Sequence, residues 1–284
     1  MELYFFWGAF AAYTVAMSLF IGYAITRREL LAQVAKKGLV FAVICHGVSL
    51  IIRTTIARAM PQHSWYVPWS NWFESFSFFA AVIVVEYLII QRKHEIPILG
   101  AFVTPLAFIS MVVAIHSPFG TQIPNLPPAL QSYWMAIHVP VMFISYAAFA
   151  NAFGIGIAYL LQEYQIKSRK PSHLMFRLPA LDDLDNMIYR VIWTAFPILT
   201  LGVLLGARWA YDAWGRYWGW DPKETWALVT WLTYLIYLQM RLIAGWRGRK
   251  TAYLSLLGFV VVIGTYIGVN YLSPLHAFLS NGGK

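Results

Sequence analysis

Eight apolar runs, each about twenty residues long, decide what this chain can fold into. They lie at about 4–26, 38–58, 73–91, 96–116, 136–161, 190–211, 225–243 and 252–272. A bilayer core needs about 20 mostly apolar residues per helix, and none of these runs shows the period-two alternation of a membrane barrel. The expected fold is an all-α polytopic membrane protein, with eight transmembrane helices in a single transmembrane domain over 1–284. Composition agrees: only 12% of residues are charged, against about 25% in soluble domains. The first run ends at Arg27-Arg28 and is too long for a cleaved signal, so it reads as a retained span.

Orientation follows from Lys and Arg. One side receives fifteen of them: Arg27, Arg28, Lys36, Lys37, Arg92, Lys93, Lys167, Arg169, Lys170, Arg177, Arg190, Arg241, Arg247, Arg249 and Lys250. The other receives six: Arg53, Arg58, Arg208, Arg216, Lys223 and Lys284. The positive-inside bias places both termini on the outer side, as an even number of spans requires. The net charge of +9 is thus topogenic rather than a nucleic-acid footprint. Cys45, the sole cysteine, lies in an apolar run and excludes both a disulfide framework and a CxxC pair. The segment 165–189, with Asp182, Asp183 and Asp185, reads as a solvated inner connector.

Tryptophan is distributed unevenly. Of 13, ten fall on or near the outer side, and Trp214, Trp218 and Trp220 crowd the single outer loop 207–224. Membrane proteins place Trp at both interfaces; a one-sided cluster also reads as a platform for a flat apolar ligand. At the end of this loop Asp221 is a good N-cap, Pro222 suits the first helical position and Glu224 completes a capping box. Asp221 is therefore either a cap or a ligand contact. Asn71-Trp72-Phe73-Glu74 repeats the device before the third span.

Topology also sorts the histidines. His138, at the outer start of span five, and His276, just beyond span eight, share the depth of the Trp loop. Two neutral imidazoles form an axial pair for haem iron, and Arg208, Arg216 and Lys223 are cations for the propionates. His46 sits inside span two, where an ionisable residue is either functional or hydrogen-bonded to a neighbouring helix.

The run Trp214-Gly215-Arg216-Tyr217-Trp218-Gly219-Trp220-Asp221-Pro222-Lys223-Glu224-Thr225-Trp226 resembles the WWD signature of cytochrome c maturation proteins. Its Asp-Pro-Lys-Glu-Thr-Trp ending is similar to the CcsA (ResC) branch of the system II synthase. Further matches are Pro68 to Ser75, His138 with Ser145 to Phe149, and Gly268-Val269-Asn270 leading to Leu275-His276. The resemblance implies haem transport: haem b is held outside by His138 and His276 and presented for thioether attachment to the CxxCH thiols of an apocytochrome c. It implies a subunit of a holocytochrome c synthase, a separate CcsB/ResB-type membrane partner, and thiol-reducing proteins acting indirectly. It also implies the bacterial inner membrane, or the thylakoid membrane if plastid-encoded. The family has a His late in span seven where this chain reads Tyr237-Leu238-Gln239, and His-Ser-Tyr where it reads His276-Ala277-Phe278. The alternative is an HemX-like membrane protein of haem metabolism without synthase activity.

Overall fold

The computed structural model describes residues 1–60, 63, 65–117, 120–123, 131–168 and 178–268. Among these residues eight α-helices follow one another: α1 (Glu2–Thr26), α2 (Glu29–Arg58), α3 (Trp72–His94), α4 (Gly100–Ile115), α5 (Tyr133–Lys167), α6 (Leu181–Trp214), α7 (Pro222–Leu242) and α8 (Arg249–Ile263). A short 3₁₀ turn, Pro97–Leu99, leads into α4, and a π-helical turn, Gly264–Gly268, continues α8. No strand occurs among the described residues. The all-helical expectation therefore holds.

Among the described residues, six helical segments are long and apolar enough to cross a membrane: α1, α2, α3, Pro97–Ile115, α5 and α6. α7 is long enough, but Lys223, Glu224, Arg241 and a run of threonines and tyrosines dilute it. The described part of α8 is 15 residues, short of a full crossing. Three apolar helices carry an internal proline, Pro105, Pro140 and Pro197, which neighbouring helices make tolerable in a membrane bundle.

The chain groups into two compact units. The first comprises Met1–Pro124 with Ile157–Leu184. Here α1 packs chiefly on α2 and also on α4, while α3 packs on α4 and α2. Fully buried alanines (Ala9, Ala16, Ala35 and Ala42) line α1 and α2, the small-residue spacing that lets membrane helices approach closely. One end of this unit is tied by a buried ion network. Arg53 donates to Glu74 at 2.6 Å and to Glu2 at 2.6 Å, and also to the Thr121 carbonyl at 2.9 Å. Asn71 caps α3 by accepting from the Glu74 backbone N–H at 2.9 Å. The Glu74 side chain takes Arg53, the Tyr66 hydroxyl, the Ser70 N–H and the side-chain amide of Asn71 itself. Burial and this carboxylate push the Tyr66 phenol up.

The second unit comprises Asn125–Gly156 with Asp185–Lys284. α6 begins at Leu181, nine residues before the apolar run at 190, so part of the expected connector is helix. Asp185 is buried rather than solvated: it accepts from Arg241, from the Gly248 N–H at 2.9 Å and from Thr251 Oγ1 at 2.8 Å. Arg241 also donates to Asn186 at 3.0 Å. One carboxylate thus joins the start of α6, the end of α7 and the start of α8. Deeper in the unit, Phe149 stacks on Tyr234 with ring centroids 3.5 Å apart.

Candidate functional site

The loop after α6 is built by α7. Asp221 accepts from the Glu224 N–H at 2.8 Å, and the Glu224 carboxylate reaches back to the Asp221 N–H, closing a capping box. The same carboxylate takes the Gly219 N–H at 2.6 Å. Arg216 lies against Gly219, and a Cβ at that position would fall inside its guanidinium. Trp220, between these anchors, is held at φ 58, a left-handed conformation that a bulky residue adopts only when its surroundings impose it.

Beneath this loop lies a cleft of about 130 Å³, lined by residues of α5, α6 and α7 together with Thr265 and Tyr266. Its walls are apolar and aromatic: Met142, Phe143 and Tyr146 from α5, Trp209 and Trp214 from α6, and Tyr217 and Trp218 from the loop. His138 enters the same wall. Its Nδ1 lies 2.9 Å from the Gly202 carbonyl. A carbonyl oxygen can only accept, so Nδ1 carries the proton, and in the neutral ring the lone pair is on Nε2. The His138 ring packs edge-on to Trp209 at 5.7 Å. Gly206 makes room for it, since a Cβ there would lie 2.8 Å from Cε1 of the imidazole.

The structure separates the residues singled out in the sequence. His138, Trp214 and Trp218 come together around the cleft, with Lys223 and Glu224 beside them. Trp220 does not line it and is 70% exposed, although its ring meets Trp218 edge-on at 5.8 Å. Asp221 serves as the cap. Arg208 is exposed, paired with Asp212, with its guanidinium over Tyr211 at 5.3 Å, and Arg216 is exposed on the loop. Neither arginine lines the cleft. His276 lies outside the described residues. His46, fully buried in the first unit, is engaged on both nitrogens, by the Tyr13 hydroxyl at 3.2 Å and by Ser77 Oγ at 2.6 Å. Gln239 is exposed on α7, whose buried side carries Thr230, Tyr234, Tyr237, Leu238 and Arg241.

The lining residues Met142, Tyr146 and Tyr266 were not visible in the sequence as site residues. Met142 and Tyr146 lie in an apolar helix where no periodicity marks the side that faces a cleft, and Tyr266 lies in the π-helical turn after α8.

The family described as "Cytochrome C assembly protein" matches residues 69–276, a range that takes in His138, the Trp loop and α7. The chain belongs to this family. Curated relatives place it with the CcsA-type members, which act in cytochrome c biogenesis. The cytochrome c biogenesis protein CcsA of Guillardia theta is 39% identical over 233 residues, 76% of this chain and 77% of the relative. That of Mesostigma viride is 33% identical over 302 residues, 98% and 97% of the two chains. Among solved structures, the cytochrome c haem lyase CcmF aligns over 94% of this chain with a TM-score of 0.65. At 15% identity this shows a shared fold, and the chain spans 46% of the length of that structure.

For this CcsA-type protein the cleft passes a test of fit to haem on its donors. It offers flat aromatic faces, an imidazole whose tautomer is set for Nε2 coordination, and a cation. A volume of about 130 Å³ is below the 300–1,000 Å³ of an enclosing ligand pocket. A cleft of this size has room for one part of a flat ligand and would leave the rest uncovered.

Proposed function

We propose that this chain holds haem b at the outer end of its second unit and presents it for thioether attachment to the CxxCH cysteines of an apocytochrome c. One observation carries the reading: His138 stands in an aromatic wall with Nδ1 bound to the Gly202 carbonyl at 2.9 Å, the second-shell arrangement that orients metal-binding histidines. On this reading His138, through Nε2, and His276 would be the two residues that hold the haem iron. Haem is the substrate; it supplies the iron that the imidazoles hold and the vinyl groups to which thiols add. The protein's contribution is positioning. Trp209, Trp214 and Trp218 pack on the ring and keep water off, and the uncovered part of the ligand is where the peptide's thiols arrive.

The same reading takes α7 and α8 as the seventh and eighth crossings, with both termini outside and all 284 residues in one transmembrane assembly. It places the chain in the bacterial cytoplasmic membrane, or the thylakoid membrane if plastid-encoded, beside a CcsB/ResB-type subunit. Reporters fused at the two ends test the sidedness: an inner signal from either end overturns it.

The functional test is haem content. His138→Gly and His276→Gly each lower the haem that copurifies with the protein and the yield of holocytochrome, and added imidazole restores part of both. Unchanged haem content in both variants would sink the assignment.

A further inference from the structure

Lys223 sits where an uncommitted cation is unfavourable. It is the second residue of α7, directly after Pro222, at the end of a helix whose backbone dipole is positive and disfavours another positive charge. It is half-buried and lines the cleft with Trp214, Tyr217, Trp218 and His138. Neither Arg208 nor Arg216 shares that wall, so among the described residues Lys223 is the one Lys or Arg in the lining.

The acids nearby are occupied with other work. Glu224 takes the Gly219 and Asp221 N–H groups, and Asp221 accepts from the Glu224 N–H. Arg208 has its own partner in Asp212. Among the described residues no carboxylate lies within ion-pair distance of the Lys223 ammonium. The surroundings register this: burial pulls the ammonium down from 10.5 to about 8, opposed by the charge of Asp221. A half-buried ammonium beside aromatic faces, with no ion-pair partner among the described residues, is a polar group that an anionic ligand would satisfy.

We propose that Lys223 is the anion anchor of the cleft and pairs with a carboxylate on an otherwise flat, apolar ligand. The inference rests on the haem reading, in which that carboxylate is a propionate. It narrows the recognition to a single point charge at the start of α7. An ammonium binds a carboxylate from a range of directions, unlike the planar fork of Arg, so the anchor tolerates a ligand that is gripped at one part and still adjusts its exposed edge. The anchor also gives the ligand a polarity: the acidic edge is drawn toward α7, and the opposite, vinyl-bearing edge is turned away from it.

The full chain in detergent is titrated with haem and with haem dimethyl ester, followed by the Soret band. The wild type is expected to bind the free acid at least tenfold more tightly than the ester. Lys223→Met abolishes that preference and leaves ester affinity and Soret position unchanged, so ester binding reports that the variant is folded. Lys223→Arg keeps most of the preference. A Lys223→Met protein that still prefers the free acid overturns the anchor, and so does a wild type that binds both forms equally, while in both cases the haem reading stands. A wild type that binds neither form overturns the haem reading and the anchor with it.

Discussion

Gly206 and Lys223 show how much a single position sets at this site. Gly206→Ala would put a Cβ 2.8 Å from the His138 ring, and the ring can move only by leaving the Gly202 carbonyl. The expected result is haem loss without loss of folded protein, measured as haem per monodisperse protein. Lys223 makes a pH prediction. Its folded-state value is about 8 against an ordinary 10.5, so between those values the folded chain binds fewer protons than the unfolded one. Stability contributed by this group therefore rises with pH across that window. Thermal melts of the ligand-free wild type should gain on those of Lys223→Met from about pH 8 to 10.5, and a gap that stays constant would contradict this. At His46 both ring nitrogens are already engaged, by Tyr13 and Ser77, which satisfies a buried histidine from within the chain.

At the scale of elements, the α6–α7 loop is a unit because one carboxylate, Glu224, takes both the Gly219 and the Asp221 N–H groups. Two tryptophans in this loop are predicted to differ. Trp218 lines the cleft and Trp220 does not, so Trp218→Ala lowers haem per folded molecule, whereas Trp220→Ala leaves it near the wild-type level. Equal losses from the two substitutions would mean that the loop acts as a whole rather than through the face of Trp218. The start of α7 was legible in the sequence because Asp221, Pro222 and Glu224 are a local signal, complete within four residues. The start of α6 was not. Asp182, Asp183 and Asp185 look like a solvated connector until Arg241 is known to face Asp185, and that partner is 56 residues away. Arg53 and Glu74 were hidden in the same way: one read as an outer charge and the other as part of a cap, although they form a buried pair. Met142 and Tyr146 in the cleft lining were hidden for a third reason, since a helix apolar on every side does not announce which side faces inward.

For the molecule as a whole, the apolar runs predicted the helices, and the packing between those helices turns on a few buried charges. The Asp185–Arg241 pair is almost completely shielded, with both side chains 4% exposed. Removing one member of such a pair leaves the other uncompensated and costs about 3–5 kcal/mol. Asp185→Ala is expected to lower the melting temperature and the yield of folded protein sharply. The double substitution Asp185→Ala with Arg241→Met should recover part of the loss, because it removes the stranded charge. A single variant as stable as the wild type would mean that the pair holds nothing together.

Asp185 also imposes a schedule on synthesis. The ribosome delivers it 56 residues before Arg241 and 66 before Thr251, several seconds ahead at ordinary translation speeds. In that interval none of the partners it has in the folded chain, Arg241, Gly248 or Thr251, has yet been made. The arrival of α7 and α8 supplies them. The last helices made therefore fix the start of one made earlier, and a chain halted before residue 241 is expected to show the start of α6 more open to protease than the full-length chain.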